Sequence, residues 1–372
     1  MPRESAVFEA RRRLRSAGPT RRAAREPSRA PLRVADVALL PGERSGGISA
    51  YLEAKAAWAQ SSGLIEHHVL VPGRGSRHQT GRRALRELRP DVVLLHAPFW
   101  RPLGVTQTAH DVGAKVVAVH HGSRGSLDAA GLPGPDALWQ PLLRTWMHRA
   151  CRDADAVMSA VDPRADCGRS ATVPLRFGID AAFAPQPDVR RQDHVLYVGR
   201  LGREEGVIDL LHAAARSQQP WQLKLVGHGP LEQPMRRHAE RLGIAERVRI
   251  YPAIADRARL ARWYASARVV VMPGAHETFG LAAFEAAATG TPVVTCSTAP
   301  SAALMRALVR TYEPDDIDGL LTAIEDARVA RPAEAAGDSL GRRCSWGAAF
   351  AAETVALERL VHGRSRALAL AG

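Results

Sequence analysis

The stretch Gly274-Ala-His-Glu-Thr-Phe-Gly-Leu-Ala-Ala-Phe-Glu-Ala-Ala-Ala-Thr-Gly-Thr-Pro-Val-Val294 is small or apolar almost throughout. It follows the strand-like run Val269–Met272, and it contains a predicted helix at Phe279–Thr289. Gly290 is typical of the residue that caps a helix, and Pro292–Thr295 is predicted to be the next strand. A strand, a loop, a helix and a strand in this order form the repeating unit of a parallel α/β fold.

Two carboxylates, Glu277 and Glu285, interrupt this stretch eight positions apart. Glu277 stands just before the predicted helix, whereas Glu285 lies inside it. A helix dominated by Ala, Leu and Phe is predicted to be buried on most of its surface, where an unpaired carboxylate is costly. Glu285 therefore requires a partner such as the hydroxyls of a ligand, unless it lies on a solvent-facing stripe. The first-turn N–H groups, at Phe279, Gly280 and Leu281, suit a phosphate.

The same unit of strand and helix repeats from Pro31 and restarts after the Pro-rich linker Phe183–Asp188. Several strands are apolar on both faces, as a parallel sheet covered by helices requires. We therefore predict an α/β fold of two Rossmann-like, doubly wound parallel-sheet domains that face a central cleft. The predicted divisions are a basic tail at residues 1–30, an amino-terminal domain at 31–185, a carboxy-terminal domain at 186–344 and a final helical segment at 345–372.

The predicted elements of the amino-terminal domain are the strands Leu32–Leu40, His67–Val71, Asp91–His96, Lys115–His121, Ala156–Ala160 and Thr172–Phe177, with helices at Ile48–Gln60, Gly81–Leu88 and Leu138–Asp153. Those of the carboxy-terminal domain are the strands His194–Val198, Gln222–Val226, Val248–Tyr251, Val269–Met272 and Pro292–Thr295. A last helix is predicted at Trp346–Leu360.

Composition and charge exclude several classes of protein. The chain of 372 residues has no apolar run close to the roughly 18 residues of a membrane span. Its four cysteines match no zinc or disulfide spacing, which favours a reducing, cytoplasmic location and no bound metal. Of the net charge of +13, residues 1–30 supply about half, with nine Arg against three Glu. We predict a disordered arm there, with contact to anionic lipid or nucleic acid as the alternative, and no specific nucleic-acid binding.

Chemistry is expected at the turns that follow strands, because ligands of open α/β sheets bind there. Gly46 and Gly47 open the first helix, His121 ends a buried-looking strand, and Arg200 follows the first strand of the second domain. Each has a plainer alternative, respectively an ordinary turn, an ordinary histidine and a surface arginine. The run Leu225–Pro230 lacks the third glycine of a dinucleotide fingerprint, so Gly227 is predicted to lie in a nucleotide-adjacent turn rather than to recognise NAD.

Together, these motifs resemble family-4 retaining glycosyltransferases of the GT-B fold, also called glycosyltransferase group 1. The E-x7-E element formed by Glu277 and Glu285 is the most specific of them. The resemblance covers most of residues 31–360 and is looser in the amino-terminal half. The order and spacing of the motifs match across nearly all of residues 190–295. The other matching segments there are Gly199-Arg-Leu, Glu204-Glu-Gly-Val, Leu225-Val-Gly-His-Gly-Pro, Tyr264-Ala-Ser-Ala-Arg-Val-Val-Val-Met-Pro and Gly290-Thr-Pro-Val-Val294. Two further segments lie outside 190–295, namely Arg176-Phe-Gly-Ile-Asp180 and Cys344-Ser-Trp346.

The resemblance implies a role for each site residue. Glu277 would contact the hydroxyls of the donor sugar, and Glu285 would bind the ribose. Arg200 would clamp the diphosphate, Gly46 and Gly47 would lie against the phosphate near the acceptor, and His121 would hold the sugar or phosphate from the facing domain. The turn at Gly227 and the helix start at Phe279, Gly280 and Leu281 complete the predicted donor site, and the final helix is expected to cross back onto the first domain.

The implied reaction is transfer of a hexose from a nucleoside-diphosphate sugar to an acceptor hydroxyl with retention at the anomeric carbon. GDP-mannose is slightly favoured as the donor. The nucleotide-sugar is a substrate, so no cofactor is expected, and the lack of a DxD-type pair of carboxylates implies no divalent metal. Lipid-linked acceptors are common in the family, so a lipid-linked or a small-molecule acceptor and a peripheral contact with the inner face of the membrane are both expected possibilities.

Two departures from the family pattern leave other functions open. Glu205 stands where the family usually places Lys beside the diphosphate, although Arg203 is one turn away and could substitute for it. The segment Thr298–Leu304 lacks the usual glycine-rich loop. One alternative is therefore a non-catalytic relative that acts as a partner subunit. The other is a nucleotide-sugar epimerase, which would bind the same donor but need no acceptor.

Overall fold

The computed structural model describes residues 30–38, 46–71, 77–96, 104–120, 145, 148–149, 151–159, 171–274, 280–305 and 308–363. The chain divides into two compact units, Met1–Pro31 and Leu32–Gly372, and every element below belongs to the second. The predicted basic tail lies outside the described residues, apart from Ala30. Within those described ranges, no helix is both long enough and apolar enough to cross a bilayer.

The first sheet is parallel and has the strand order β2-β1-β3-β4-β5-β6. Its central strands contain runs of Val, Leu and Ala, such as residues 92–95 and 116–119, and Val92, Val93 and Leu94 are all completely buried. Both faces are therefore covered, as in a doubly wound sheet. The elements are β1 (Leu32–Val37), α1 (Gly46–Ser62), β2 (Ile65–Leu70), α2 (Arg77–Leu88), β3 (Val92–His96), α3 (Val105–Asp111), β4 (Lys115–His120), β5 (Ala156–Ser159) and β6 (Ala171–Pro174).

The second sheet is also parallel, with the order β12-β11-β10-β7-β8-β9. A large apolar cluster surrounds it, in which Val195, Leu223 and Val270 are completely buried. The elements are β7 (His194–Val198), α4 (Val207–Arg216), β8 (Gln222–Val226), α5 (Glu232–Arg241), β9 (Val248–Tyr251), α6 (Arg257–Ser266), β10 (Val269–Met272), α7 (Leu281–Ala288), β11 (Val293–Cys296), α8 (Pro300–Met305), β12 (Val309–Tyr312), α9 (Ile317–Val329), α10 (Glu334–Arg343) and α11 (Trp346–His362).

The predicted fold class of two Rossmann-like parallel sheets is confirmed. Most strand boundaries agree within two residues, but β1 ends at Val37 rather than Leu40, β6 ends at Pro174 rather than Phe177, and β12 was not predicted. The predicted helix Phe279–Thr289 is shorter and begins at Leu281. Gly280 has a φ of +65° and cannot continue a right-handed helix. Gly290 follows α7 with a φ of +76°, as expected of a cap.

The last helix, α11, packs against α1 and β6 of the first sheet. Phe350 and Leu357 are buried in the apolar cluster of that sheet. The Ser345 hydroxyl caps the helix by accepting a hydrogen bond from the Ala348 N–H at 3.2 Å. A chain that runs through the whole second sheet thus ends on the first one.

In each sheet, the strand order reverses beside the first strand of that half of the chain. The reversals lie between β1 and β3 and between β7 and β10. Ligands of open α/β sheets bind in the crevice beyond the carboxyl ends of the strands at such a switch point. The loops that follow these four strands are therefore where a site is expected.

Candidate functional site

The loops that follow β7 and β10 meet at the switch point of the second sheet. Gly206 ends the first loop with a φ of +64°, and Pro273 begins the second. A Cβ atom on Gly206 would lie 2.7 Å from the Pro273 carbonyl oxygen, which is closer than non-bonded atoms can approach. The glycine is therefore required for the contact between the two loops.

Hydrogen bonds hold the backbone of Arg200 in place. The hydroxyl of Tyr197, a completely buried side chain, donates to the Arg200 carbonyl oxygen at 2.7 Å. One residue further on, the Leu201 N–H donates to the His228 carbonyl oxygen at 3.0 Å, and the Leu231 N–H donates to the Leu201 carbonyl oxygen at 3.0 Å. Arg200 thus extends an exposed guanidinium from an ordered turn at the edge of the sheet.

Gly227 lets the loop after β8 approach the loop after β7. Its φ is +151°, and a Cβ atom there would lie 1.8 Å from the Gly199 carbonyl oxygen. Gly229 is similarly close, since a Cβ atom on it would lie 2.3 Å from the Leu201 carbonyl oxygen. Two glycines of the predicted turn are therefore needed for the packing of the loops, whatever ligand the loops bind.

A single 3-10 turn, Arg203–Glu205, carries the charged residues next to Arg200. The Arg203 side chain is exposed, and Glu205 is half-buried. The carboxylate that replaces the family's usual lysine and the arginine proposed to substitute for it therefore occupy the same turn. This turn precedes α4, which begins at Val207.

The amino-terminal end of α7 lies where the two halves of the chain meet. Gly280 precedes the helix and is buried, and its carbonyl oxygen accepts a hydrogen bond from the Phe284 N–H at 3.1 Å. Leu281, the first residue of the helix, packs against the apolar cluster of the first sheet. The helix end that was predicted to bind phosphate therefore borders the first domain.

Glu285 is buried within α7, so the alternative of a solvent-facing stripe is wrong. Its carboxylate has two partners in the protein: the Tyr264 hydroxyl donates to Oε2 at 3.1 Å, and Arg257 Nη1 donates to Oε1 at 3.3 Å. Burial raises the pKa of the Glu285 carboxyl to about 7, against the opposing effects of Arg257 and the Tyr264 hydrogen bond. The group is therefore only partly ionised at neutral pH. Sequence reasoning found the carboxylate but neither partner.

Three predicted site residues, His121, Glu277 and Phe279, lie outside the described residues. Gly46 and Gly47 form the start of α1, at the switch point of the first sheet. The structure brings the loops that carry Arg200 and Gly227 together, and it places Gly280 and Leu281 beyond the adjacent strand β10.

Across the described ranges, no group of three or more His, Cys, Asp and Glu side chains is arranged to hold a metal ion.

A buried ionic network, which we call the Asp36 network, lies at the switch point of the first sheet and was not predicted. The Asp36 carboxylate, on β1, contacts Lys55 Nζ at 2.9 Å, His67 Nε2 at 2.7 Å and His96 Nε2 at 2.6 Å. Lys55 Nζ also contacts the Glu353 carboxylate of α11 at 2.7 Å. The signal in the sequence was an aspartate within an apolar strand and one of only three lysines in the chain.

Comparisons with known proteins find a family match in the second half of the chain. Residues 180–327 match the model of the family described as glycosyl transferases group 1. The resemblance drawn from the sequence motifs is thereby confirmed. Every residue singled out in the second domain, from Arg200 to Glu285, falls within the matched segment.

Two curated relatives illustrate the sequence similarity. The chain is 38% identical over 179 residues to a D-inositol 3-phosphate glycosyltransferase of Frankia alni. The aligned segment makes up 45% of this chain and 41% of the relative. It is 29% identical over 313 residues to a GDP-mannose-dependent alpha-(1-6)-phosphatidylinositol dimannoside mannosyltransferase of Mycobacterium tuberculosis, with coverage of 72% and 80%. The chain spans about two fifths of the length of the first curated relatives it matches.

Solved structures share the fold of nearly the whole chain. Sucrose-phosphate synthase from Thermosynechococcus elongatus superposes with a TM-score of 0.70 at 18% identity, covering 86% of this chain and 96% of that one. Anabaena HepE in complex with UDP and glucose gives a TM-score of 0.66 at 17% identity, with coverage of 87% and 97%. The architecture is therefore the GT-B fold.

Proposed function

We propose that this protein is a retaining glycosyltransferase, which moves a hexose from a nucleoside-diphosphate sugar to an acceptor hydroxyl without a metal ion. The observation that carries the proposal is the carboxyl edge of the second sheet. There, three close glycine contacts hold the loop of Arg200, and a buried carboxylate with a raised pKa, Glu285, lies in the helix of the next loop. A site that combines a buried carboxylate, which can accept hydrogen bonds from sugar hydroxyls, with an arginine, which can pair with phosphate, suits a sugar diphosphate.

The proposed donor site divides the nucleotide-sugar among several groups. Arg200 pairs with the diphosphate, since a planar guanidinium binds phosphate oxygens in a bidentate manner. The free N–H groups at the start of α7 add a second positive potential next to it. Glu285 accepts hydrogen bonds from the ribose hydroxyls, and Glu277 does the same for the hydroxyls of the sugar.

The proposed reaction needs no covalent attachment to the protein. The bond between the anomeric carbon and the diphosphate oxygen breaks, and a bond from the acceptor oxygen forms on the same face of the sugar. The acceptor's proton passes to an oxygen of the leaving diphosphate. Cations and N–H dipoles that stabilise the charge developing on this diphosphate supply much of the rate enhancement. His121 of the facing domain is proposed to hold the sugar or its phosphate during this step.

GDP-mannose is the proposed donor, and the GDP-mannose dependence of the M. tuberculosis relative supports it. HepE was solved with UDP, so a uridine donor is the direct competitor. The names of both curated relatives point to inositol-containing acceptors. We accordingly propose a polyol hydroxyl as the acceptor, either on a small metabolite or on a lipid headgroup at the cytoplasmic face of a membrane.

The test is a screen of GDP- and UDP-sugars for thermal stabilisation and for donor hydrolysis, with Glu277→Ala and Arg200→Ala alongside the wild type. We expect one donor to stabilise the wild type and to be turned over, and both variants to lose turnover. Arg249→Ala is the matched control, because Arg249 is an exposed arginine on β9 of the same sheet. Proton NMR of the product then assigns the stereochemistry, and activity in excess EDTA tests the independence from metal.

Other outcomes would replace the proposal. If no nucleotide-sugar stabilises the protein and it copurifies with another transferase, the protein is a non-catalytic partner subunit. Conversion of the donor to an epimer without any acceptor would instead identify an epimerase. Equal turnover by the wild type and Arg200→Ala would contradict the assigned diphosphate site.

A further inference from the structure

The Asp36 network is more deeply buried than the second-domain site. The side chains of Asp36, Lys55, His67 and His96 are at most 3% exposed, and that of Glu353 is 6% exposed. Two carboxylates thus face one ammonium and two imidazoles in the interior. Buried charges are tolerated only when each is paired and hydrogen-bonded, which is the case here.

The pKa shifts agree with a charged network. Burial alone would raise the pKa of Asp36, but Lys55 and hydrogen bonds from His67 and His96 hold it well below its usual value. Burial would likewise lower the pKa of Lys55, and the nearby Asp36 and Glu353 raise it instead. Asp36 and Lys55 are therefore both ionised at neutral pH, so this contact is an ion pair.

The network ties the last helix to α1. Tyr51 and Lys55 lie four residues apart and therefore on one face of α1. The Tyr51 hydroxyl donates to Glu353 Oε2 at 2.5 Å, while Lys55 contacts Glu353 Oε1 at 2.7 Å. One carboxylate of α11 thus holds two residues of α1 at once.

The same network reaches both strands at the switch point. Asp36 is the residue before the last one of β1, and His96 is the last residue of β3. The helix α1, which Lys55 links to Asp36, begins at Gly46, within two turns of Tyr51. Lys55 therefore joins the helix that begins at Gly46 and Gly47 both to the strand β1 and to α11.

We propose that Glu353 and Lys55 are positioning residues for the amino-terminal end of α1, so that the last helix of the chain forms part of the ligand-binding edge of the first domain. The functional consequence rests on the proposed glycosyl transfer, in which Gly46 and Gly47 face the phosphate near the acceptor. Neither residue touches substrate. Both act through the orientation of α1.

A buried ionic network of this kind contributes geometry more than stability. Replacing a buried ion pair by well-packed apolar residues is often neutral or stabilising, whereas removing one partner alone is strongly destabilising. Apolar side chains could fill the same space, but their contacts are not directional and would not determine the orientation of α1 as closely as hydrogen bonds do. Stability and positioning should therefore respond differently to single and paired substitutions.

The first variant is Glu353→Gln, which keeps a hydrogen-bond acceptor for Tyr51 but removes the charge that faces Lys55. We expect amide exchange in α1 to become at least about tenfold faster. The kcat/KM for the acceptor should fall about tenfold or more, while the affinity for the donor, most of whose proposed contacts lie in the second domain, should change much less. Glu358→Gln is the matched control on the same helix, since Glu358 forms no ion pair with any of the described residues and should behave as the wild type.

The second comparison separates positioning from stability. Lys55→Gln alone leaves two buried carboxylates without their ammonium and is expected to lower the melting temperature. The double variant Lys55→Gln/Glu353→Gln should recover much of this loss, but fast exchange in α1 and slow transfer should persist. Recovery of transfer together with stability would reduce the network to a structural role and overturn the proposal.

Equal exchange in α1 for Glu353→Gln and Glu358→Gln would also overturn the proposal. The exchange measurement requires no substrate, so it decides the positioning of α1 even if the proposed transferase activity is absent. In the opposite case, an active wild type with an unaffected Glu353→Gln variant would leave the transferase standing and remove only the role of the network.

Discussion

At the scale of single residues, Glu285 combines burial, protein partners and a raised pKa. Tyr264 and Arg257 satisfy its oxygens, yet burial still dominates and the carboxyl holds a proton up to about pH 7. Such a group destabilises the folded protein at higher pH, because the ionised form is favoured in the unfolded chain. A carboxylate kept at this cost is typical of a ligand-binding position.

We predict that Glu285→Gln is more stable than the wild type at pH 8 and binds the donor at least about tenfold more weakly. The folded-state pKa of Glu285 is raised from 4.5 to about 7. The contribution of Glu285 to the free energy of unfolding is therefore fully present below about pH 4.5 and is lost as the pH rises to about 7. The advantage of the variant should therefore be largest above pH 7, at roughly 1–3 kcal/mol, and small near pH 5. Urea unfolding at both pH values measures it.

The matching control is Glu240→Gln, since Glu240 is an exposed carboxylate on α5. We expect it to change neither the unfolding free energy nor the affinity for the donor. A Glu285→Gln variant that is less stable than the wild type at pH 8 would show that the ion pair with Arg257 outweighs burial. The pKa argument would then fail.

At the scale of elements, close backbone approach determines the geometry of the donor edge. The loop after β7 is packed between the loop after β8, through Gly227 and Gly229, and the loop after β10, through Gly206. Each contact brings a carbonyl oxygen to where a Cβ atom would stand. The position of Arg200 is therefore set by neighbours that are distant in sequence, and only glycine permits them.

We predict that Gly227→Ala destabilises the protein by roughly 2–4 kcal/mol and weakens donor binding, because the added Cβ would overlap the Gly199 carbonyl oxygen and push the Arg200 turn outward. Chemical unfolding and calorimetric titration of the selected donor measure the two effects. Retained affinity for the donor in a destabilised variant would show that the turn does not position the diphosphate.

Gly243→Ala is the control for backbone strain alone. Gly243 also has a positive φ, of +69°, but a Cβ atom there would meet nothing within 4 Å. We expect a loss of about 1 kcal/mol from the left-handed backbone and an unchanged affinity for the donor. The difference between the two alanine variants isolates the contact with the Arg200 turn.

At the scale of the whole molecule, two neighbouring chain segments connect the halves. The Ile179 N–H donates to the Cys344 carbonyl oxygen at 2.6 Å, and Ile179 forms an isolated parallel bridge with Ser345. Next to them, a Cβ atom on Gly178 would lie 2.3 Å from Trp346 Cα. Because the two segments leave the halves side by side, a rigid-body motion of one half relative to the other is expected to bend the chain there.

We predict that Gly178→Ala disturbs this crossing and loosens α11 from the first sheet, because the added methyl group meets the backbone of Trp346 rather than a movable side chain. The melting temperature should fall, and limited proteolysis should become faster in the linker Phe183–Asp188. The expected loss is roughly 2–4 kcal/mol.

Gly347→Ala provides the control, because a Cβ atom there would lie 4.0 Å from its nearest neighbour, Ser345 Oγ, and Gly347 is in the first turn of α11. Alanine is the better helix former, so this variant should be neutral or more stable by up to about 1 kcal/mol. If both variants behave alike, the close approach of Gly178 and Trp346 does not limit the crossing.

Sequence reasoning identified most strands of both sheets, because parallel strands are buried on both faces and their Val- and Leu-rich runs stand out locally. Its errors follow from the same physics. The strand β12, Val309–Tyr312, has a half-exposed, polar composition and lies at the edge of its sheet, so it lacks that signal. The start of α7 was placed two residues early, because nothing local reveals the left-handed backbone of Gly280.

The sequence by itself predicted the fold class, the resemblance of the second domain to glycosyltransferase group 1 and a buried helix around Glu285, since these depend on local composition and on motif spacing. Only the tertiary structure decided that Tyr264 and Arg257 satisfy Glu285, and that Glu353 meets Tyr51 across 302 positions of the chain. Such contacts depend on how distant segments pack after the sheets form. A contact between two distant segments produces no periodic pattern in the sequence around either residue.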